Sequence, residues 1–299
     1  MYHKPVQRRY YRSVKRNRQL EVIFIYPLTH MLSAIQKIAD NKLRYNLAIA
    51  GPIGSGKTTL CNYLWDELSR LNIQLNDNLQ RDSLMHYYKE WIDHSDICKQ
   101  MLVNRTNGLI SRFTLQSFIL DEWTNILTKE PLRYFNLFER SISECSMCFC
   151  DDLTFKEYDV LHTREYDIAS RFDIPCVDRE FGFCVSTKET TKEIFDELAK
   201  RIEADVDYMI ATKMESFNRI FGMKLLDAET LVKRIGKRAR PGEEDLQLRK
   251  MNDHLTLFKR AYNRFEYRSR LNIELPLEEE EPIERSATAI DAELCVNGC

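Results

Sequence analysis

A glycine-rich loop between a short apolar run and a helical pattern constrains this sequence most. The 299 residues include only nine glycines, and Gly51, Gly54 and Gly56 fall within six positions. Residues 45–50, just before the loop, form a mostly apolar run of the kind that becomes a strand. The leucines after the loop recur at helical spacing, at Leu60, Leu64, Leu68 and Leu71. The order strand, loop and helix is therefore predicted.

Residues 51–58 fit the pattern G-x-x-x-x-G-K-[ST] completely. Glycines at these positions let backbone N–H groups turn inward around phosphate oxygens, and the following helix N-terminus adds a positive dipole. Lys57 can reach the β- and γ-phosphates, and the Thr58 hydroxyl can bind Mg²⁺. The motif predicts an ATP and Mg²⁺ site. Its residues are Gly51, Pro52, Ile53, Gly54, Ser55, Gly56, Lys57, Thr58 and Thr59.

The remaining periodic segments predict an α/β fold. Helices are expected over residues 83–92, 111–128, 228–238 and 246–266, with a further helix marked by Ile194, Leu198 and Ile202. Strands are expected over residues 133–138, 220–226 and 271–277. Strands that alternate with helices predict a parallel sheet flanked by helices on both faces. Because no repeat or linker interrupts residues 44–277, we expect one domain there.

Composition excludes several classes of protein. The chain has 44 basic and 46 acidic residues, a net charge of −2 that argues against a general nucleic-acid binder. The sequence contains no uninterrupted apolar run of about 18 residues, so no membrane span is predicted. Nine scattered cysteines are typical of a reducing compartment such as the cytoplasm. The basic residues 1–43 are expected to be a partly disordered extension, with mitochondrial or nuclear targeting as the alternative, and residues 278–299 an acidic disordered tail.

Two acidic sites compete for the catalytic end of a strand. Asp121 and Glu122 follow an apolar run, as in P-loop ATPases that hold Mg²⁺ and activate water, but the surrounding spacing is helical. Glu139 and Arg140 follow an aromatic-rich segment that is typical of a strand. Five basic residues within 233–240 then run into Pro241. A basic helix end of this kind suits a lid that covers a triphosphate and neutralises transition-state charge.

Four blocks of this sequence resemble the deoxynucleoside kinases and the related viral thymidine kinases. The blocks occur in the family's order: the loop Gly51 to Thr59, the stretch Phe113 to Phe118, Glu139-Arg140-Ser141, and Arg234-x-x-x-Arg238-x-Arg240 followed by acids. The resemblance implies transfer of the ATP γ-phosphate to the 5′-hydroxyl of a deoxynucleoside, with Mg²⁺, in a P-loop fold with a helical lid. A homodimer is an open alternative.

The resemblance also implies residue roles. Lys57 and Thr58 would hold ATP and Mg²⁺, Glu139 would help to hold Mg²⁺, and Arg140 would steady the reacting 5′-oxygen. Gln116 would pair with the base and Tyr88 would contact the ribose. A glutamine amide presents a donor beside an acceptor, so it can pair with cytosine or with thymine, and a pyrimidine is expected. The lid would consist of Arg234, Arg238 and Arg240.

Some features depart from the family pattern. The family's Glu-Pro-x-x-Trp motif, which supplies the base for the 5′-hydroxyl, falls near Asp77 here without its proline or tryptophan. Asp77 is the candidate base, and a nucleotide-binding protein with impaired catalysis stays an alternative, as does the ATPase. Residues 142–219 are longer than the family's segment. Cys145, Cys148 and Cys150 have metal-like spacing, but no second C-x-x-C follows, which favours thiols without a metal.

Overall fold

The chain folds around a five-stranded sheet. The computed structural model describes residues 30–75, 84–149, 152–177, 179, 181–238 and 248–274. The strands are β1 (Arg44–Ala50), β2 (Met85–Tyr88), β3 (Phe135–Phe138), β4 (Gly182–Val185) and β5 (Ser216–Gly222). They lie in the order β2-β3-β1-β5-β4, and each neighbouring pair is parallel. All carboxyl ends therefore meet at one edge of the sheet.

Helices connect the strands. They are α1 (residues 30–40), α2 (Lys57–Leu75), α3 (Asp96–Thr106), α4 (Arg112–Lys129), α5 (Glu144–Met147), α6 (Phe155–Phe172), α7 (Thr191–Thr212), α8 (Ala228–Arg238) and α9 (Leu248–Glu274), with a 3-10 turn at Trp91–Asp93. No helix within the described ranges combines the length and apolar composition needed to cross a bilayer.

The central strand β1 is apolar on both faces because helices cover both faces of a parallel sheet. Leu47 and Ile49 pack in one core with buried side chains of α1, α2 and α7. Ala48 and Ala50 pack in the other core with buried side chains of α4, α6 and α9. The alternation of side chains along a strand divides the run in this way. This arrangement confirms the predicted α/β fold.

Three buried asparagines fix the register of the central strands. Asn46 lies opposite Asn136 of β3 and Asn218 of β5. The Asn136 amide donates to Asn46 Oδ1 at 2.8 Å, and the Asn46 amide donates to Asn218 Oδ1 at 3.0 Å. A slip of one residue would leave these amides unpaired in the interior, at a cost of about 1–3 kcal/mol each.

The structure corrects several predicted elements. The helix predicted over residues 83–92 is wrong over 85–92, because this stretch contains β2 and most of the 3-10 turn. The strand predicted over residues 271–277 is wrong for residues 271–274, because they belong to helix α9, which ends at Glu274. Helix α1 precedes residue 44, and its Met31, Ala34, Ile35 and Ile38 are buried, while the predicted domain bounds stay a prediction. The helices predicted at 111–128 and 228–238 are confirmed as α4 and α8.

Candidate active site

The glycine-rich loop joins the carboxyl end of β1 to α2. Gly54 and Gly56 have φ values of 80° and 101°, which are readily adopted only by glycine. A Cβ on Gly54 would also meet Ile235 Cγ1 at 3.1 Å and the Leu231 carbonyl at 3.2 Å. Helix α8 therefore packs directly on the loop, and the loop conformation requires glycine at this position.

Lys57 is buried at the start of α2 and faces back into the loop. Its ammonium donates to the carbonyls of Gly51 at 2.6 Å and Pro52 at 3.0 Å. Burial, and next the nearby Arg140 charge, lower the pKa of Lys57 to about 8. The Ser55 hydroxyl is buried in the same loop without a hydrogen-bond partner in the described part of the chain. An incoming phosphate would satisfy both groups, so the loop residues fit a triphosphate.

Glu139 follows β3 and is fully buried beside the loop. Its Oε1 accepts a hydrogen bond from the Thr58 hydroxyl. Its Oε2 accepts from the Tyr87 hydroxyl at 2.8 Å and from the Glu90 amide at 3.4 Å. A hydroxyl and a carboxylate side by side are the hard oxygen ligands that Mg²⁺ takes alongside substrate phosphates and water. Thr58 and Glu139 therefore fit the predicted metal site.

Arg140 is held between two buried carboxylates. Its Nε donates to Glu90 Oε1 at 2.7 Å, and its Nη1 donates to Glu144 Oε2 at 2.5 Å. Burial acts to lower the pKa of Arg140, but the two carboxylates outweigh it and hold that pKa above its ordinary value. The guanidinium also lies over the Phe149 ring, 5.2 Å from its centroid. A fixed cation thus faces the phosphate loop.

Glu90 is a functional candidate that sequence reasoning missed. It is 7% exposed and follows the carboxyl end of β2, two residues after the strand ends. Functional groups gather at the carboxyl ends of parallel strands, so a correct assignment of β2 would have pointed to Glu90 and its neighbour Trp91. Asp77, the predicted base, lies outside the described residues.

Gln116 lies on α4 with only 2% of its surface exposed. Its Oε1 is buried and accepts no hydrogen bond from the residues that the structure describes. Buried polar atoms are normally paired, and an unpaired one indicates a group that awaits a ligand or water. The predicted role of Gln116 in base pairing stays a prediction, and this environment is suited to it.

The Tyr88 side chain is packed in the protein core and is not exposed. Its ring stacks on Phe138 with centroids 4.7 Å apart, and its hydroxyl donates to the Glu130 carbonyl at 2.7 Å. The side chain is buried in the core. Because successive strand residues face opposite ways, it is Tyr87 that contacts Glu139. The predicted ribose contact of Tyr88 stays a prediction that this packing does not favour.

The predicted lid is described in part. Leu231 and Ile235 of α8 are buried toward the loop, while Arg234 and Arg238 lie on the exposed face. Arg240 lies outside the described residues. The structure thus brings the end of a basic helix close to the phosphate loop. Thr59, the last residue of the phosphate-loop motif, is exposed on α2.

The competing acidic pair does not reach this site. Asp121 and Glu122 lie within α4, and Asp121 pairs with Arg164 of α6 at 2.6 Å on the protein surface. A strand beside β1, which an ATPase role for this pair requires, is not formed there. Cys145, Cys148 and Cys176 are buried. Within the described residues, no group of three or more metal-binding side chains is clustered.

A cavity of about 350 Å³ lies at the opposite end of the sheet. It is lined by the chain around the amino ends of β1, β3 and β5, including Arg44, Arg133 and Asp173. Arg44 and Asp173 approach each other at 3.4 Å there. Because it is remote from Lys57 and Glu139, the cavity plays no part in the site described above.

The fold and the loop together define the chain as an α/β protein of the P-loop nucleotide-binding class. No family model matches the sequence, and no curated protein matches it. Among solved structures, a deoxyadenosine kinase from M. mycoides with bound dCTP is similar, with a TM-score of 0.42 and 13% identity. The similarity covers 84% of this chain and 99% of that chain. A likeness this distant does not assign the chain to a family.

Proposed function

We propose that this protein is a deoxynucleoside kinase that transfers the γ-phosphate of ATP to the 5′-hydroxyl of a pyrimidine deoxynucleoside. The observation that carries the proposal is the placement of Glu90, Arg140 and Glu139 beside Lys57 and Thr58. The phosphate loop and the metal-binding carboxylate Glu139 would serve ATP, the phosphate donor. The second carboxylate, Glu90, and the arginine that holds it would serve the nucleoside, the phosphate acceptor. Phosphoryl transfer depends mainly on such positioning and charge neutralisation.

Each residue has a definite task in this proposal. Lys57 and the loop amides bind the triphosphate, and Thr58 with Glu139 would hold Mg²⁺, which neutralises charge on the phosphates. Glu90 takes the proton of the 5′-hydroxyl while that oxygen bonds to the γ-phosphorus and the bond to the β-phosphate oxygen breaks. Arg140 steadies the oxygens of the transferred group, and Arg234, Arg238 and Arg240 close over them.

Glu90 replaces Asp77 as the proposed base. Its carboxylate lies against Arg140, and its backbone amide contacts the proposed metal ligand Glu139. A base must lie within hydrogen-bond reach of the proton that it removes, and Glu90 is close to both groups that would position the reacting oxygen. The alternative of a catalytically impaired protein rested on the loss of the Glu-Pro-x-x-Trp motif near Asp77, and Glu90 offers a carboxylate that does not depend on that motif.

Gln116 supports the preference for a pyrimidine. Its unpaired buried oxygen and its amide N–H₂ offer an acceptor beside a donor. Turning the amide over matches either the cytosine edge or the thymine edge, so both pyrimidines are expected as substrates.

The test is to incubate the purified protein with labelled ATP, Mg²⁺ and each of the four deoxynucleosides in turn. We expect monophosphate from the pyrimidine nucleosides and none with Lys57→Ala, which removes a phosphate-binding group and leaves the fold intact. Asp121→Asn is the matched control and should keep full activity. ATP hydrolysis without any monophosphate, abolished by Asp121→Asn, would instead identify the ATPase.

A further inference from the structure

A second buried carboxylate contacts Arg140, and the proposed reaction does not use it. Glu144 is the first residue of α5 and is only 1% exposed. Its Oε2 accepts from Arg140 Nη1 at 2.5 Å, and its Oε1 accepts from the Gly51 backbone amide at 3.0 Å. One carboxylate thus accepts hydrogen bonds both from the first residue of the phosphate loop and from Arg140. Arg140 and Glu90 together are called the acceptor side, because they would position the nucleoside that accepts the phosphate.

These contacts form a continuous chain across the site. Gly51 donates to Glu144, Arg140 donates to Glu144, and Arg140 also donates to Glu90. This series of hydrogen bonds therefore links the loop that would hold the triphosphate to Glu90, the carboxylate that would receive the hydroxyl proton. Hydrogen bonds of this kind, with an ionised partner, are shorter and stronger than neutral ones.

The burial of Glu144 indicates a role beyond stability. Burial raises the pKa of this carboxyl, while Arg140, Lys57 and the Gly51 amide oppose the rise. Buried ion pairs recover little net stability, because desolvation consumes most of the attraction. Such a pair fixes geometry instead, and here the geometry fixed is that of Arg140 relative to the loop.

We propose that Glu144 is a positioning residue that couples the phosphate loop to Arg140 and Glu90, so that nucleotide binding orders the acceptor side. The functional part of this inference rests on the proposed kinase activity. Rearrangement of the loop around a triphosphate acts on the Gly51 amide, and Glu144 transmits it to Arg140. Bound nucleotide therefore tightens the binding of the nucleoside.

Glu144→Gln tests the coupling directly. Glutamine offers one acceptor oxygen in place of two, so it can accept from Gly51 or from Arg140 but its amide N–H₂ opposes the other donor. Glu165→Gln is the matched control. Glu165 is also fully buried and accepts two hydrogen bonds from Ser146 of α5, at 2.6 Å each, but it holds neither Gly51 nor Arg140.

The first measurement is the Kd of thymidine or deoxycytidine with and without a non-hydrolysable ATP analogue. Coupling between sites is typically about 5- to 150-fold. We expect at least about 5-fold tightening in the wild type and in Glu165→Gln, and less than about 2-fold in Glu144→Gln. Should Glu144→Gln fail to fold, Glu144→Asp replaces it: the shorter carboxylate keeps the charge but cannot span both partners, and coupling should again fall.

The second measurement needs no nucleoside. Hydrogen exchange of the segment 84–93, which contains Glu90, is followed when the ATP analogue alone binds. We expect a change in the wild type and none in Glu144→Gln.

The proposal is overturned if the Glu144 variant keeps both wild-type responses, or if the wild type shows neither. Normal monophosphate production with unchanged coupling would refute this inference and leave the kinase activity standing. An exchange response that depends on Glu144, without any monophosphate, would refute the kinase and leave the link from the loop to Glu90 standing.

Discussion

Replacing Gln116 by leucine tests whether a buried amide reads the nucleobase. The Gln116 side chain is almost fully buried and its Oε1 accepts no hydrogen bond from the described residues, so the protein itself gains nothing from that oxygen. A bound pyrimidine would form two hydrogen bonds with the amide. At about 0.5–1.5 kcal/mol for each net hydrogen bond, the pair contributes about 1–3 kcal/mol.

The expected result has a kinetic and a thermal part. A loss of about 1–3 kcal/mol corresponds to a fall of about 5- to 150-fold in kcat/KM for the nucleoside. The KM for ATP should barely change, because ATP is held at the loop of residues 51–58. The melting temperature should be unchanged or higher, since the substitution removes a buried oxygen that has no partner.

The assay is steady-state kinetics with each pyrimidine nucleoside, together with thermal unfolding. Gln100→Leu on α3 is the matched control, since Gln100 is exposed and donates to Asn104. Equal weakening of ATP and nucleoside, or of neither, would refute the base-pairing role. A lower melting temperature with unchanged kinetics would show that Gln116 serves the core instead.

Three further predictions concern the base, the lid and acid stability. Glu90→Gln should lower kcat by about 10²- to 10⁴-fold with ATP binding preserved, whereas Asp77→Asn should leave kcat near normal; the reverse result in rapid-quench assays would restore Asp77 as the base. Arg238→Ala should lower kcat by about 10²-fold if the lid donates to the transition state, and an unchanged kcat would leave α8 with an ordinary basic surface. Burial, and then the charges of Arg140, Lys57 and Arg112, lower the pKa of His254 to about 3, so the folded protein keeps this ring neutral. The unfolded chain takes up the proton below about pH 6.5, so stability is lost as pH falls from 6.5 toward 3, and the loss at pH 5 is about 2 kcal/mol. Urea unfolding at pH 7 and pH 5 should therefore show that much more loss in the wild type than in His254→Phe, and parallel losses would contradict the buried neutral ring.

The sequence alone determined those parts of the protein that local interactions govern. The phosphate loop was recognisable because its glycines serve backbone angles and its lysine and threonine serve phosphate chemistry within eight residues. Helices α4 and α8 were recognisable because a long apolar period is hard to satisfy in any other way. Glu139 and Arg140 were found because an aromatic-rich run before them marked the end of a strand.

Tertiary structure decided the rest, since it depends on partners far apart in the chain. β2 has four residues, too few for a period to identify it, and only its pairing with β3 makes it a strand. That pairing places Glu90 beside Arg140, 50 positions further along the chain. It also turns Tyr87 toward Glu139 and buries Tyr88, because one residue along a strand reverses the face. The contact of Glu144 with Gly51 likewise spans 93 positions, and the packing of separate elements creates it.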